Sequence, residues 1–84
     1  MKIVFTNHAR EKFLILERHG CVLKEEDVIK TLKEPNSIKI GRKGRLIAQR
    51  VLDEEHLLRV VYEEKDNEVV VITFYPARRE RYED

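Results

Sequence analysis

The sequence is poor in the residues that usually anchor a small domain: tryptophan is absent, cysteine occurs once, and proline and glycine supply two and three of 84 residues. A lone Cys21 closes no internal disulfide, and no His/Cys cluster stands at ligand spacing. Neither a disulfide framework nor a zinc centre is therefore expected, and no cofactor is implied. No apolar run approaches the ~20 residues of a membrane span, and Met1-Lys2-Ile3-Val4-Phe5 turns polar too early for a signal peptide. A cytoplasmic protein without a membrane partner is the expectation. Charge of one sign is lacking too. The formal net charge is +1, so nucleic-acid binding would have to come from where basic residues are placed rather than from bulk charge.

What is present points to a globule. The chain is 42% hydrophobic and 39% charged, the latter well above the average of about 25%. At 84 residues it falls short of a typical domain of roughly 100 to 150, which leaves room for one core over residues 1–84 and excludes an enclosed active-site chamber.

Lys2 to Phe5 reads as a strand, and Thr6-Asn7 supplies capping side chains for the helix that follows. Ala9, Phe13 and Leu16 form an apolar stripe at i, i+4, i+7, and Gly20 ends that helix. A second helix spans Lys24 to Glu34, with Glu25-Glu26-Asp27 at its positive end and Pro35 as its stop. The remainder alternates at period two over Ser37–Ile40, Arg45–Leu52, Leu57–Glu64 and Glu68–Tyr75, separated by short polar turns. The expected fold is α+β in the order β-α-α-β-β-β-β, two helices packed on one face of an antiparallel sheet, the other face left open.

Tight turns would pair Ile40 with Arg45, Leu52 with Leu57 and Lys65 with Glu68. On that register Ile38, Ile40, Ile47, Val51, Leu58, Val60, Tyr62, Val69 and Val71 form the floor beneath the helices. The open face then carries Lys39, Leu46, Ala48, Arg50, Arg59, Val61, Glu63, Val70, Ile72 and Phe74, with Arg50 directly opposite Arg59. Opposed like charges cost a few tenths to ~1 kcal/mol unless an anion or a carboxylate offsets them.

Two further groups invite a chemical reading. Arg78, Arg79, Glu80, Arg81 and Tyr82 follow the last strand; arginine's planar fork matches phosphate oxygens and aromatic rings stack on bases. His8 falls in the first helical turn, where the dipole favours a neutral imidazole able to accept a proton. Metal-free RNA cleavage requires a base, cations for the phosphate and an acid for the leaving oxygen. On this reading His8, Tyr75 and Glu80 are the proton-transfer candidates, and Arg50, Arg59, Arg78, Arg79 and Tyr82 hold RNA phosphate and base. His19 and His56 receive no role. A solvated charged tail and a packing histidine are the structural alternatives.

Three stretches carry a family resemblance: Asn7-His8-Ala9-Arg10, Leu57-Leu58-Arg59-Val60-Val61-Tyr62 and Val70-Val71-Ile72-Thr73-Phe74-Tyr75. The chain resembles a family of short prokaryotic domains with an "HA-R" helix and an "I-T-x-Y" strand. Its ending, Ile72 to Glu83, resembles that of the BrnT toxins, although Tyr75-Pro76 stands where a serine would precede Ala77-Arg78. Both lie near the RelE/ParE toxin superfamily. The resemblance implies a RelE-like helix-pair-plus-sheet fold, ribonuclease activity in some members and gyrase inhibition in others, with an antitoxin as partner. It makes this chain a toxin-like RNA-cleaving or RNA-binding component. The alternative is a non-catalytic module that receives an antitoxin helix or a second copy, as a homodimer, on Leu46, Val61, Ile72 and Phe74.

Overall fold

The computed structural model describes residues 2–82. Five strands and three helices follow in order: β1 (Lys2–Phe5), α1 (Asn7–Arg18), α2 (Glu25–Lys33), β2 (Ser37–Ile40), β3 (Leu46–Val51), β4 (His56–Lys65), β5 (Glu68–Arg78) and α3 (Arg79–Tyr82). They build an α+β fold around one five-stranded sheet of order β1-β5-β4-β3-β2. The sheet is mixed rather than antiparallel: β2 through β5 form the meander, but β1 lies parallel to β5. The crossover from β1 to β5 spans most of the chain, so turn chemistry could not reveal that pairing.

Two of the three expected hairpin registers slip by one residue. The turn after β2 contains a 3-10 stretch, Arg42–Gly44, and pairs Ile40 with Leu46 rather than Arg45. Leu52 leaves the ladder for the next loop, so Val51 pairs with Leu57. The third turn closes Lys65 on Glu68 as expected, with Asp66 and Asn67 at φ 50° and 64°, the left-handed pair that a two-residue type I′ turn demands. Because side chains alternate at period two, each one-residue slip exchanges faces. Arg50 thus pairs with Leu58, and Gln49 stands opposite Arg59. The two arginines do not oppose one another, and the repulsion expected between them does not exist.

A second departure is in β5. Val61 pairs with Thr73 but Tyr62 pairs with Val71, leaving Ile72 as the extra residue of a bulge. This returns Phe74 to the same side as Val71. Phe74 is fully buried among Phe5, Ala9, Val28, Leu58, Val60 and Val71, with Phe13 and Leu16 packed over it. Its ring lies 4.5 Å from that of Phe13. Ala48, Tyr62 and Val69 extend the core, with Leu46 against them. Leu46, Ala48 and Phe74 therefore belong beneath the helices and not to an exposed partner surface, while Ile47 and Val51 move to the open side. Of the expected floor, Ile38 and Ile40 share the covered side, yet the helices do not reach them and they remain 53% and 84% exposed.

Thr6 joins the bulge to the helix layer. Its hydroxyl accepts from the Ala9 amide (3.1 Å), capping α1, and donates to the carbonyl of Ile72 (3.1 Å); its own amide donates to Val71 O (3.1 Å). One side chain serves both a helix end and a carbonyl that the bulge displaced from the ladder. At α2 the backbone amide of Lys24 donates to the Asp27 carboxylate at 2.8 Å. Replacing Thr6 by Val keeps the shape and removes both side-chain bonds. The expected loss is about 1–2 kcal/mol, read as a fall of roughly 4–16 °C in Tm; an unchanged melting curve would show that the hydroxyl does not hold the helix to the bulge.

Candidate nucleic-acid interface

The face of the sheet away from α1 and α2 is covered in part by the protein's own C-terminus. β5 continues past Tyr75 through Pro76 to Arg78 before α3 turns back. Pro76 is tolerated because β1 ends opposite Val71, so this part of β5 has only β4 beside it. The entry to α3 is fixed by backbone and side chain together. The Arg79 amide donates to Glu55 O (2.9 Å), and its Nη1 donates to the carbonyls of Asp53 (3.3 Å) and Glu54 (3.4 Å). That loop is itself tied by Asp53, whose carboxylate accepts from the amides of Glu55 (2.8 Å) and His56 (2.7 Å) and contacts His56 Nδ1 at 3.1 Å. The Glu55 amide, with His56 adding to it, holds the Asp53 carboxyl below its ordinary value of 3.8.

Beneath α3 lies Arg59, only 6% exposed. Its Nε donates to the hydroxyl of Tyr75 (3.0 Å), and Nη1 donates to Gln49 Oε1. Gln49, also buried, donates onward to Ser37 Oγ at 3.3 Å. The guanidinium carbon sits 4.0 Å from the centre of the Tyr82 ring and 5.9 Å from that of Tyr75. Among the described residues no carboxylate pairs with Arg59, and Glu63 on the same face is engaged by Arg45 at 3.0 Å. A desolvated cation is thus held by two neutral acceptors and two aromatic rings. A cation–π contact is worth ~2 kcal/mol or more when desolvated.

Next to this cluster a cleft of about 480 Å³ is lined by Asn36, Ser37, Lys39, Gln49, Arg50, Val51, Leu57, Arg79 and Tyr82. Three of the lining residues are cations, and none of the described ones is acidic. Arg50, moved by the slip to the covered side with Leu58 rather than the open face expected of it, reaches only the rim of the cleft from the end of β3, its Nη1 donating to Glu34 O at 2.6 Å with the Glu34 carboxylate 3.9 Å away. Asn36, Ser37 and Gln49 add neutral donors and acceptors. A second cleft of about 250 Å³ is lined by Tyr75, Pro76, Ala77, Arg78, Arg81 and Tyr82.

Of the residues the sequence nominated, Arg59, Tyr75, Arg79 and Tyr82 come together in or against this cluster, and Arg50 and Arg78 border its two clefts. Glu80 is exposed on α3. His8 is not brought to them: it is exposed in the first turn of α1, which packs on the opposite side of the sheet. Gln49, Ser37, Asn36 and Lys39 complete the cleft without having been nominated. Gln49 becomes noticeable only once its position across from Arg59 is known.

The fork of Arg59 predicts that lysine cannot replace it, since one ammonium neither bridges Gln49 and Tyr75 nor lies flat under Tyr82. Arg59→Lys should cost about 1–3 kcal/mol, seen in thermal or urea melting; wild-type stability would remove the fork from the fold's support. The Asp53 loop carries a pH dependence. A carboxyl held lower in the fold than in the unfolded chain contributes stability above the ordinary carboxylate range, and that contribution is lost as pH falls through the folded value. Protection of the Glu55 and His56 amides, measured relative to their intrinsic exchange rates, should therefore fall at acid pH. Asp53→Asn should show the lower protection already at neutral pH, and equal protection in both proteins would count against the loop's dependence on the carboxylate.

Comparison with family models, with curated proteins and with solved structures returned no match to this chain.

Proposed function

We propose that the protein binds RNA along the open side of its sheet. The observation that carries the reading is the cleft lined by Lys39 and Arg79 beside an aromatic ring, with Arg50 at its rim and no acidic residue among those described in its lining. A cation at the rim of a cleft attracts phosphates, and each phosphate contact releases counterions. Neutral side chains at the same cleft give a ribose hydroxyl its donors and acceptors, and Tyr82 gives a base its stacking surface. The resemblance of the C-terminal stretch to BrnT toxins points in the same direction, and a toxin-like role neutralised by a protein partner is consistent with it. Binding is favoured over cleavage because the nominated proton carriers are divided between two layers: His8 begins α1, whereas the Tyr75 hydroxyl already accepts from Arg59 Nε.

Fluorescence anisotropy with a labelled RNA oligonucleotide, and with DNA of the same sequence, tests this directly. The logarithm of affinity should fall with the logarithm of salt at a slope of about −2 for three phosphate contacts, and Lys39→Ala or Arg50→Ala should flatten it by about 0.7 each. The RNA should bind more tightly than the DNA. Affinity that is absent, or indifferent to both substitutions, would sink the proposal.

A further inference from the structure

Tyr82 stands as a partition. It lines both clefts, the larger with Lys39, Arg50 and Arg79 and the smaller with Arg78 and Arg81. One face of its ring is backed by the Arg59 guanidinium at 4.0 Å, which is itself immobilised by Tyr75 and Gln49. The ring is partly exposed. An aromatic ring fixed from behind by a buried cation, and shared by two clefts that each carry cations in their lining, has the form of a stacking platform between two phosphate sites.

Building on the RNA-binding reading, we propose that Tyr82 selects single-stranded RNA: an unpaired base stacks on its outer face while the flanking phosphates lie in the two clefts. A duplex offers no such base, because each base face is already covered by its neighbours. Arg59 is then a positioning residue that acts through Tyr82. Its near-complete burial, with no carboxylate partner among the described residues, fits that role, since an acidic partner would draw the guanidinium away from the ring.

The test uses the full chain and four probes: a short single-stranded RNA, the same RNA with one central abasic site, the blunt duplex of that sequence, and inorganic pyrophosphate as competitor. Wild type should prefer the single strand, and Tyr82→Ala should lower that affinity roughly tenfold while leaving duplex affinity and pyrophosphate competition unchanged. Wild type on the abasic strand should match Tyr82→Ala on the intact one, and Tyr82→Phe should retain most of the preference because stacking needs the ring and not the hydroxyl. Circular dichroism melting of each variant establishes that the sheet is intact. Equal weakening toward single strand and duplex, or tighter binding of every probe by Tyr82→Ala, would overturn the platform, the second because Tyr82 would then be shielding Arg59. A preference for the single strand that survives Tyr82→Ala overturns it as well, while leaving the cationic cleft standing. Loss of all binding in Lys39→Ala/Arg50→Ala with Tyr82 intact supports the cleft, and a wild type that binds none of the RNAs overturns both readings together.

Discussion

A single extra residue in β5 sets the arrangement on which both layers depend. With Ile72 left over opposite the Val61/Tyr62 step, the strand presents Val69 and Val71 to the helices, shifts phase, and then presents Phe74 to the same layer. The phase after the shift places Tyr75 opposite Arg59 on the other side. Without the bulge, Phe74 would point into the cleft and Tyr75 into the core. A buried ring worth ~1.5–3 kcal/mol of transfer energy and the hydroxyl that holds Arg59 are thus tied to the same backbone irregularity, and Thr6 restores the hydrogen bond that it displaced.

The open side follows from that phase. Leu57 and Gln49 are buried beneath α3 together with Arg59, so this side of the sheet carries a small second core with a charge inside it. Burying a cation with neutral partners only is unfavourable on desolvation grounds unless every donor finds a use. Here the fork, two aromatic rings and the short helix above them share the task, and no buried side-chain polar atom among the described residues lacks a partner. These contacts hold the Arg59 guanidinium in one place. A rigid cation behind a partly exposed ring suits recognition better than a solvated arginine of the same charge.

The surface charge acquires meaning through this placement. With Lys and Arg totalling 17 against 16 Asp and Glu, the molecule has almost no net charge, and several acidic side chains are engaged elsewhere: the start of α2, the loop under Arg79, and Glu63 with Arg45. The larger cleft is lined by Lys39, Arg50 and Arg79 with no acidic residue among the described lining. That separation allows local attraction for a phosphodiester without the bulk charge that usually announces it.

Local chemistry alone determined much of the fold. Capping by Thr6, the Ala9–Phe13–Leu16 stripe, the acidic start of α2, Pro35, and the Asp66-Asn67 turn are decided by residues within a few positions of one another, so element order and most boundaries could be read directly. The segment that ends in Tyr82 was recognisable as a candidate because arginine and tyrosine clustered in sequence. Only the tertiary structure decided faces and partners. A 3-10 turn and the departure of Leu52 from the ladder each slipped a hairpin by one residue, the bulge slipped β5 once more, and at period two every slip reverses a side chain. Arg50 was consequently separated from Arg59, Gln49 took its place, and His8 was left on the opposite layer. The parallel pairing of β1 with β5 was equally hidden, because nothing within Lys2 to Phe5 encodes a neighbour more than sixty positions away.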